Sequence, residues 1–310
     1  MFNGFAGGLV ASSLMDQIDL TQKMSNLSIV CMVISLIVVI GVPIYVYVYL
    51  KRRLNFAVLS LFNGVLFYFL CVVFLNNLTV NLLLAIPNVA NFLNSNQVVG
   101  VSIISLIAVI YEVIGLYFGV SFLAKRFPRF GDNTMFGLGF STIEAIMSAA
   151  SVLFGFITLA MTINSNGLEE IFKIYSEDEL ANAITSMQSL LDIPSAQFFS
   201  YGINCTLLLA FRMSASILLF GMVMNKMPKY MLAVVLGFKL IFVIPDILVN
   251  TGVYENIWIS VILYVIVTAA LVAFTYQQLK RFMPEDLNEL KKKINKTPPQ
   301  QKIPKIVMPK

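Results

Sequence analysis

Glu112, Glu144, Arg212 and Lys239 stand inside long apolar runs of a chain that contains no histidine. An ionised side chain in hydrocarbon costs about 2.5–3.5 kcal/mol on insertion scales, which makes each of the four a functional-site hypothesis by default. Two carboxylates and two cations can do two kinds of chemistry. A carboxylate can act as general base toward water, with Arg or Lys stabilising the oxyanion that develops. Alternatively, the four charges neutralise one another as buried ion pairs. The absent imidazole removes the commonest general base and a frequent zinc ligand. Cys31, Cys71 and Cys205 fall within apolar segments, share no metal-ligand spacing, and read as buried free thiols. No metal and no cofactor is predicted.

Gly137, Ser141, Glu144, Ala145 and Ser148 recur at three- and four-residue spacing and share one helical face. Small residues let a neighbouring helix approach closely, and serine hydroxyls can satisfy a buried carboxyl. The plainer reading of this face is close helix packing around a glutamate held in an ion pair.

The elements that must position these groups are membrane spans. The chain has 310 residues, 58% apolar and only 12% charged, with a mean hydropathy of +0.85. Soluble proteins carry about 25% charged residues, so the composition points to an integral membrane protein. Beta-barrel spans are shorter and alternate polar with apolar residues, so the expected fold is an all-α polytopic bundle. Spans are predicted at about 26–50, 55–75, 98–124, 135–162, 198–224, 230–250 and 256–279. Leu78–Leu93 is apolar but short and broken by Pro87, which predicts a re-entrant or interfacial helix.

Charge supports that count. With an extracytoplasmic N-terminus and seven spans, 17 of the 21 Lys and Arg lie on the cytoplasmic side, and Lys23 and Lys173 lie outside. The net charge of +5 sits in short loops and the tail, which suits topology and anionic lipid rather than nucleic acid. Residues 1–25 form an extracytoplasmic segment in which Phe2, Phe5, Leu9, Val10 and Leu14 suit an interfacial position. A basic n-region is absent there, which argues against a removed signal peptide. Residues 26–280 form the helical domain, and 281–310 a basic, Pro-rich cytoplasmic tail disordered beyond about 295. The external loop 163–197 is acidic and carries two amphipathic patterns, with Ser176 as an N-cap and Glu179 closing its capping box. Pro43 and Pro245 predict kinks, Asp246 an interfacial carboxylate, and Trp258 and Tyr254 an aromatic belt.

Glu112, Val113, Ile114, Gly115 and Leu116, followed by Ala124, Lys125 and Arg126, resemble the third-helix signature of the YhfC-like family of intramembrane peptidases. The run from Phe136 to Ile146 resembles that family's Gly-x-Gly-His-Gly-Gly-x-Glu-Ala motif. Pro245 and the Asn256-Ile257-Trp258 run also sit where the family pattern puts them, and the resemblance spans roughly 26–280. It implies a glutamic-type protease related to the CAAX prenyl protease class, in which a carboxylate pair, an Arg, the motif Glu and later histidines activate water. This chain departs from the pattern at most of those positions. Val113 and Leu116 stand at the second carboxylate and the Arg, Phe140 at the motif histidine, and Ser141 and Thr142 at the two glycines. Met213 and Lys239 stand at later histidines and Val243 at an aspartate, so only Glu112 and Glu144 carry over.

The expectation is therefore a degenerate member, a pseudoprotease of the cell membrane that binds membrane proteins or peptides. Glu144 is expected to pair with Arg212 and Glu112 with Lys239. The alternatives are an active protease using Glu144 and Glu112, with Arg212 or Lys239 as charge partners, and a transporter or channel component.

Overall fold

The computed structural model describes residues 20–173, 175–252 and 256–291. The interfacial segment expected around Phe2–Leu14, Tyr254 of the aromatic belt and the tail beyond 291 lie outside them. The described residues are helical throughout, with seven helices long and apolar enough to cross a bilayer. These are α1 (Asn26–Lys51), α2 (Val58–Leu84), α4 (Gln97–Arg126), α5 (Phe130–Asn166), α8 (Ser195–Val223), α9 (Met231–Asn250) and α10 (Ile257–Phe282). Short helices α3 (Pro87–Ser95), α6 (Leu168–Phe172), α7 (Glu177–Leu191) and α11 (Pro284–Lys291) complete the order.

The outer faces of the spans are apolar: Ile37, Ile44, Phe62, Leu66, Phe118 and Ile266 are all exposed. Soluble monomers do not carry continuous apolar surface on this scale, and these helices need a lipid bilayer around them. The chain is a multi-pass membrane protein. Its central helix is α8, 61% of whose apolar window is buried against 22–33% in the other spans. It packs on α1, α4, α5, α9 and α10, and a group carried at mid-depth on α8 therefore meets four or five neighbours.

Two spans differ from their sequence reading. Residues 78–84 are not part of the short extra helix; they are the last turns of α2, which continues through a π-helical stretch at Tyr68–Leu75. The break falls at Ala85 and Ile86, and Pro87 then opens α3 at its first turn, where a missing N–H costs nothing. Helix α5 likewise contains a π-helical stretch, Ala145–Ala150, directly after Glu144. Such turns add a residue and rotate the remainder of the helix, and they recur near functional sites.

At the basic end, one carboxylate ties two spans together. Asp132, fully buried in the first turn of α5, accepts from the Ala57 N–H at 2.6 Å, the Ser60 hydroxyl at 2.8 Å and Arg129 Nε at 2.6 Å. It thereby satisfies donors at the start of α2 that the helix leaves open. Glycines then let the helices close. A Cβ at Gly139 would strike the Leu61 carbonyl, and one at Gly64 would strike the Phe136 carbonyl. A Cβ at Gly137 would strike Ser216 Oγ on α8.

The tail returns to this end. Helix α11 begins with Pro284, Glu285 and Asp286, residues suited to a helix N-terminus. Asp286 pairs with Lys226 at 2.9 Å, and Arg53 donates to the Leu290 carbonyl at 3.0 Å. At the opposite end, the acidic 163–197 segment folds as the two expected amphipathic helices, burying Leu168, Ile171, Phe172, Ile184 and Met187 in a small core of their own. Ser176 does precede α7, but its hydroxyl donates to the Glu179 carboxylate at 2.9 Å instead of accepting a backbone N–H, so the predicted capping box is replaced by a side-chain pair. Glu170 and Glu169 hold the Lys173 ammonium above its ordinary pKa through hydrogen bonds.

Candidate functional site

The close approach of α5 to α8 through Gly137 brings Glu144, two turns further along α5, against Arg212. The guanidinium serves both carboxylates. Its Nε donates to Glu112 Oε1 on α4 at 2.9 Å, and its Nη2 contacts Glu144 Oε2. Lys239 Nζ on α9 lies 2.9 Å from Glu112 Oε2, so both oxygens of Glu112 face a cation. Four helices thus each supply one charge to a closed, formally neutral cluster. The two expected pairs form, and a third, Arg212–Glu112, joins them into a single network.

Aromatic faces wall the cations. The Arg212 guanidinium lies 5.4 Å from the Phe140 ring centroid and 5.7 Å from that of Tyr68. Lys239 Nζ lies 5.0 Å from the Phe242 ring and 5.6 Å from the Phe211 ring. Ring quadrupoles attract cations most strongly where water is excluded. Tyr68 thus flanks the guanidinium as an aromatic wall rather than as an ion partner.

Burial is uneven. The side chains of Arg212, Glu112 and Lys239 are 1%, 7% and 9% exposed, whereas Glu144 is 22% exposed. Among the described residues, Arg212 Nη1 and Ser141 Oγ are buried without a hydrogen-bond partner. A cavity of about 200 Å³ is bounded by Ser148, Asn204, Cys205, Leu208, Phe242 and Asp246 among others. Ser148 is one turn beyond Glu144, Leu208 one turn before Arg212, and Phe242 one turn beyond Lys239. The cavity therefore sits one turn from the charges, toward the end of the bundle that carries Asn250. Tyr264 donates to Asp246 at its rim, and Asn204 Oδ1 is a buried acceptor without a partner among the described residues.

Several sequence expectations meet a different geometry. Neither serine of the small-residue face reaches the carboxyl: Ser148 donates to the Glu144 backbone carbonyl at 2.6 Å, and Ser141 reaches no acceptor. Ser148 has its own i−4 carbonyl within reach, and that local bond wins. Asp246, read as interfacial, is exposed and also borders the cavity. Tyr68 escapes a search for charges because it carries none and sits in an uninterrupted apolar run. Phe140, at the position of the motif histidine, is fully buried under the guanidinium.

The profile of the YhfC intramembrane metalloprotease family matches residues 37–265, from the middle of α1 into α10. The chain belongs to this family. It is 28% identical over 176 residues to an uncharacterized membrane protein YhfC of Bacillus subtilis (strain 168), a match covering 57% of this chain and 67% of that relative. No solved structure matches.

The family description implies a resident metal, and the residues present do not fit one. A zinc site draws on His, Cys, Asp or Glu converging on one point. The chain has no histidine, and no three such groups converge among the described residues. The carboxylates that are present already face cations: Glu112 is engaged on both oxygens, and a divalent ion beside it would meet the Arg212 and Lys239 charges.

Proposed function

We propose that this chain is a member of its family that binds apolar membrane segments or peptides at the cavity beside the charge cluster and does not hydrolyse them. The observation that carries this reading is the single guanidinium of Arg212 shared by Glu112 and Glu144, with Lys239 closing the second oxygen of Glu112. A general base needs a free carboxylate within reach of water. Glu112 has neither a free oxygen nor access to solvent. In this reading the basic end faces the cytoplasm, as the distribution of Lys and Arg favours, and the cavity is reached from the opposite half of the bilayer.

A second reading, proteolysis with Glu144 as base, draws support from one fact: Glu144 is the least buried of the four and lies one turn from Ser148 on the cavity wall. Photocrosslinking separates the two. A benzophenone side chain at Tyr201, which borders the cavity, should capture single-span peptides in proteoliposomes at their intact mass. Capture of truncated peptides, lost with Glu144→Gln, would establish the second reading; no capture above that of a probe at lipid-facing Ile262 would remove the binding role.

A further inference from the structure

A second cavity lies away from the charge cluster, at the basic end. It measures about 760 Å³ and is bounded by the last turns of α4 (Tyr117, Ser121, Lys125), the end of α8 and the start of α9 (Lys229, Leu232). Its origin is local. After α8 the chain turns at Asn225, φ 55°, and the Lys226 and Met227 N–H groups both donate to the Gly221 carbonyl at 2.9 Å. Met227 is thereby tucked against Gly221, where a Cβ would lie 2.6 Å from its sulfur. The chain doubles back toward the core and leaves the space between the ends of α4, α8 and α9 open.

Two lysines border that space without a carboxylate partner among the described residues. Lys226 is paired with Asp286 and Arg129 with Asp132, whereas Lys125 and Lys229 are exposed and form no ion pair among the described residues. Below them the wall is apolar: Tyr117, Phe118 and Leu232, with Phe118 56% exposed toward lipid. Ser121 Oγ, on the cavity wall, is buried without a partner. Two unpaired ammonium groups over an apolar floor that opens sideways to the bilayer complement one amphiphile, with an anionic head and hydrocarbon tails. The volume falls within the 300–1,000 Å³, roughly, of ligand pockets.

We propose that this notch is a binding site for one anionic phospholipid, its phosphate between Lys125 and Lys229 and the start of its acyl chains along Tyr117, Phe118 and Leu232. The site is separate from the charge cluster and holds whether or not the protein cleaves peptides.

Native mass spectrometry of the full chain tests it. In mixed micelles with equal phosphatidylglycerol and phosphatidylcholine, one phosphatidylglycerol should remain bound after the neutral lipid has dissociated. Lys125→Gln with Lys229→Gln should weaken that binding about thirtyfold, the loss for two charges near a membrane surface at about fivefold each. Lys173→Gln at the opposite end should leave it unchanged. Ser121→Trp fills the notch while keeping both lysines and should also expel the lipid; if the lipid stays, the association is a diffuse charge layer and the site is wrong. Lys125→Arg with Lys229→Arg keeps the charge and should retain the lipid, and it reports directly on folding of variants at these positions. Equal retention of phosphatidylcholine would overturn the proposal, and so would displacement of the bound lipid by millimolar glycerol 3-phosphate, which carries the head chemistry without the chains.

Discussion

Two buried carboxylate sites on the same helix invite comparison. At the start of α5, Asp132 collects a backbone N–H, a hydroxyl and an arginine. More than three turns further along α5, Glu144 joins three other charges, Arg212 Nη1 and Ser141 Oγ are buried without partners among the described residues, and a 200 Å³ cavity lies one turn away. The first arrangement satisfies a helix start and locks α2 to α5, which is a folding role. The second balances charge without exhausting its hydrogen-bonding groups, and a space large enough for a side chain lies one turn away. Buried polar groups are normally all paired, and Asn204 Oδ1 on the cavity wall is not, which marks where a ligand belongs. A site built purely for stability would look like Asp132.

Variants can break that contrast, and the largest effect is expected at Arg212. Arg212→Met leaves Glu112 and Glu144 facing each other with only Lys239, and removing one partner of a buried pair costs about 3–5 kcal/mol. A loss of most folded protein, read by size-exclusion profile and thermal unfolding in detergent, is expected. Replacing all four together (Glu112→Gln, Glu144→Gln, Arg212→Met, Lys239→Met) should be far milder, because no uncompensated charge remains. If the quadruple variant is as unstable as Arg212→Met, charge balance is the wrong account of the cluster.

Asp132→Ala comes next, at about 2–3 kcal/mol, since it leaves the buried Ala57 N–H and Ser60 hydroxyl unpaired; the same thermal assay reads it. Glu144→Gln should cost less, about 1 kcal/mol, because Glu144 is partly exposed and Arg212 keeps Glu112. The smallest effect belongs to Ser176→Ala on the exposed side of α7, within about 0.5 kcal/mol. A larger loss there would mean that the Ser176–Glu179 pair does more than join two exposed side chains.

Charge exchange sharpens the same point. An isolated Glu144–Arg212 pair would tolerate exchange of its two residues. The geometry predicts that exchange fails, because a carboxylate at position 212 would face Glu112, which now receives Arg212 Nε at 2.9 Å. Recovery of folded protein in the exchanged variant would show that the Arg212–Glu112 contact carries no weight.

Hydropathy made the spans legible, and the depth of each charge in its span made the two ion pairs legible. Depth alone does not fix rotation about the helix axis, and so the third pair was not: Arg212 reaches Glu112 because α8 is the central helix and faces α4 and α5 at once. The end of α2 was hidden because residues 78–93 read together as one short apolar segment broken by Pro87, whereas 76–84 continue α2 after its π-helical stretch and the break falls before Pro87. Helix α11 was announced by Pro284, Glu285 and Asp286, although the Lys-rich composition around it masks the signal. The family came from residues scattered over four spans, none of them decisive alone, and the profile match over 37–265 bears that resemblance out.

The most direct test of the proposed function is a reconstituted cleavage experiment. Wild type and Glu144→Gln, each in proteoliposomes with a library of single-span peptides, are incubated with and without zinc, and the peptides are read by mass spectrometry. The same spectra are expected for both proteins, with every peptide at its intact mass. Fragments made by wild type and absent with Glu144→Gln would contradict a binding role without hydrolysis.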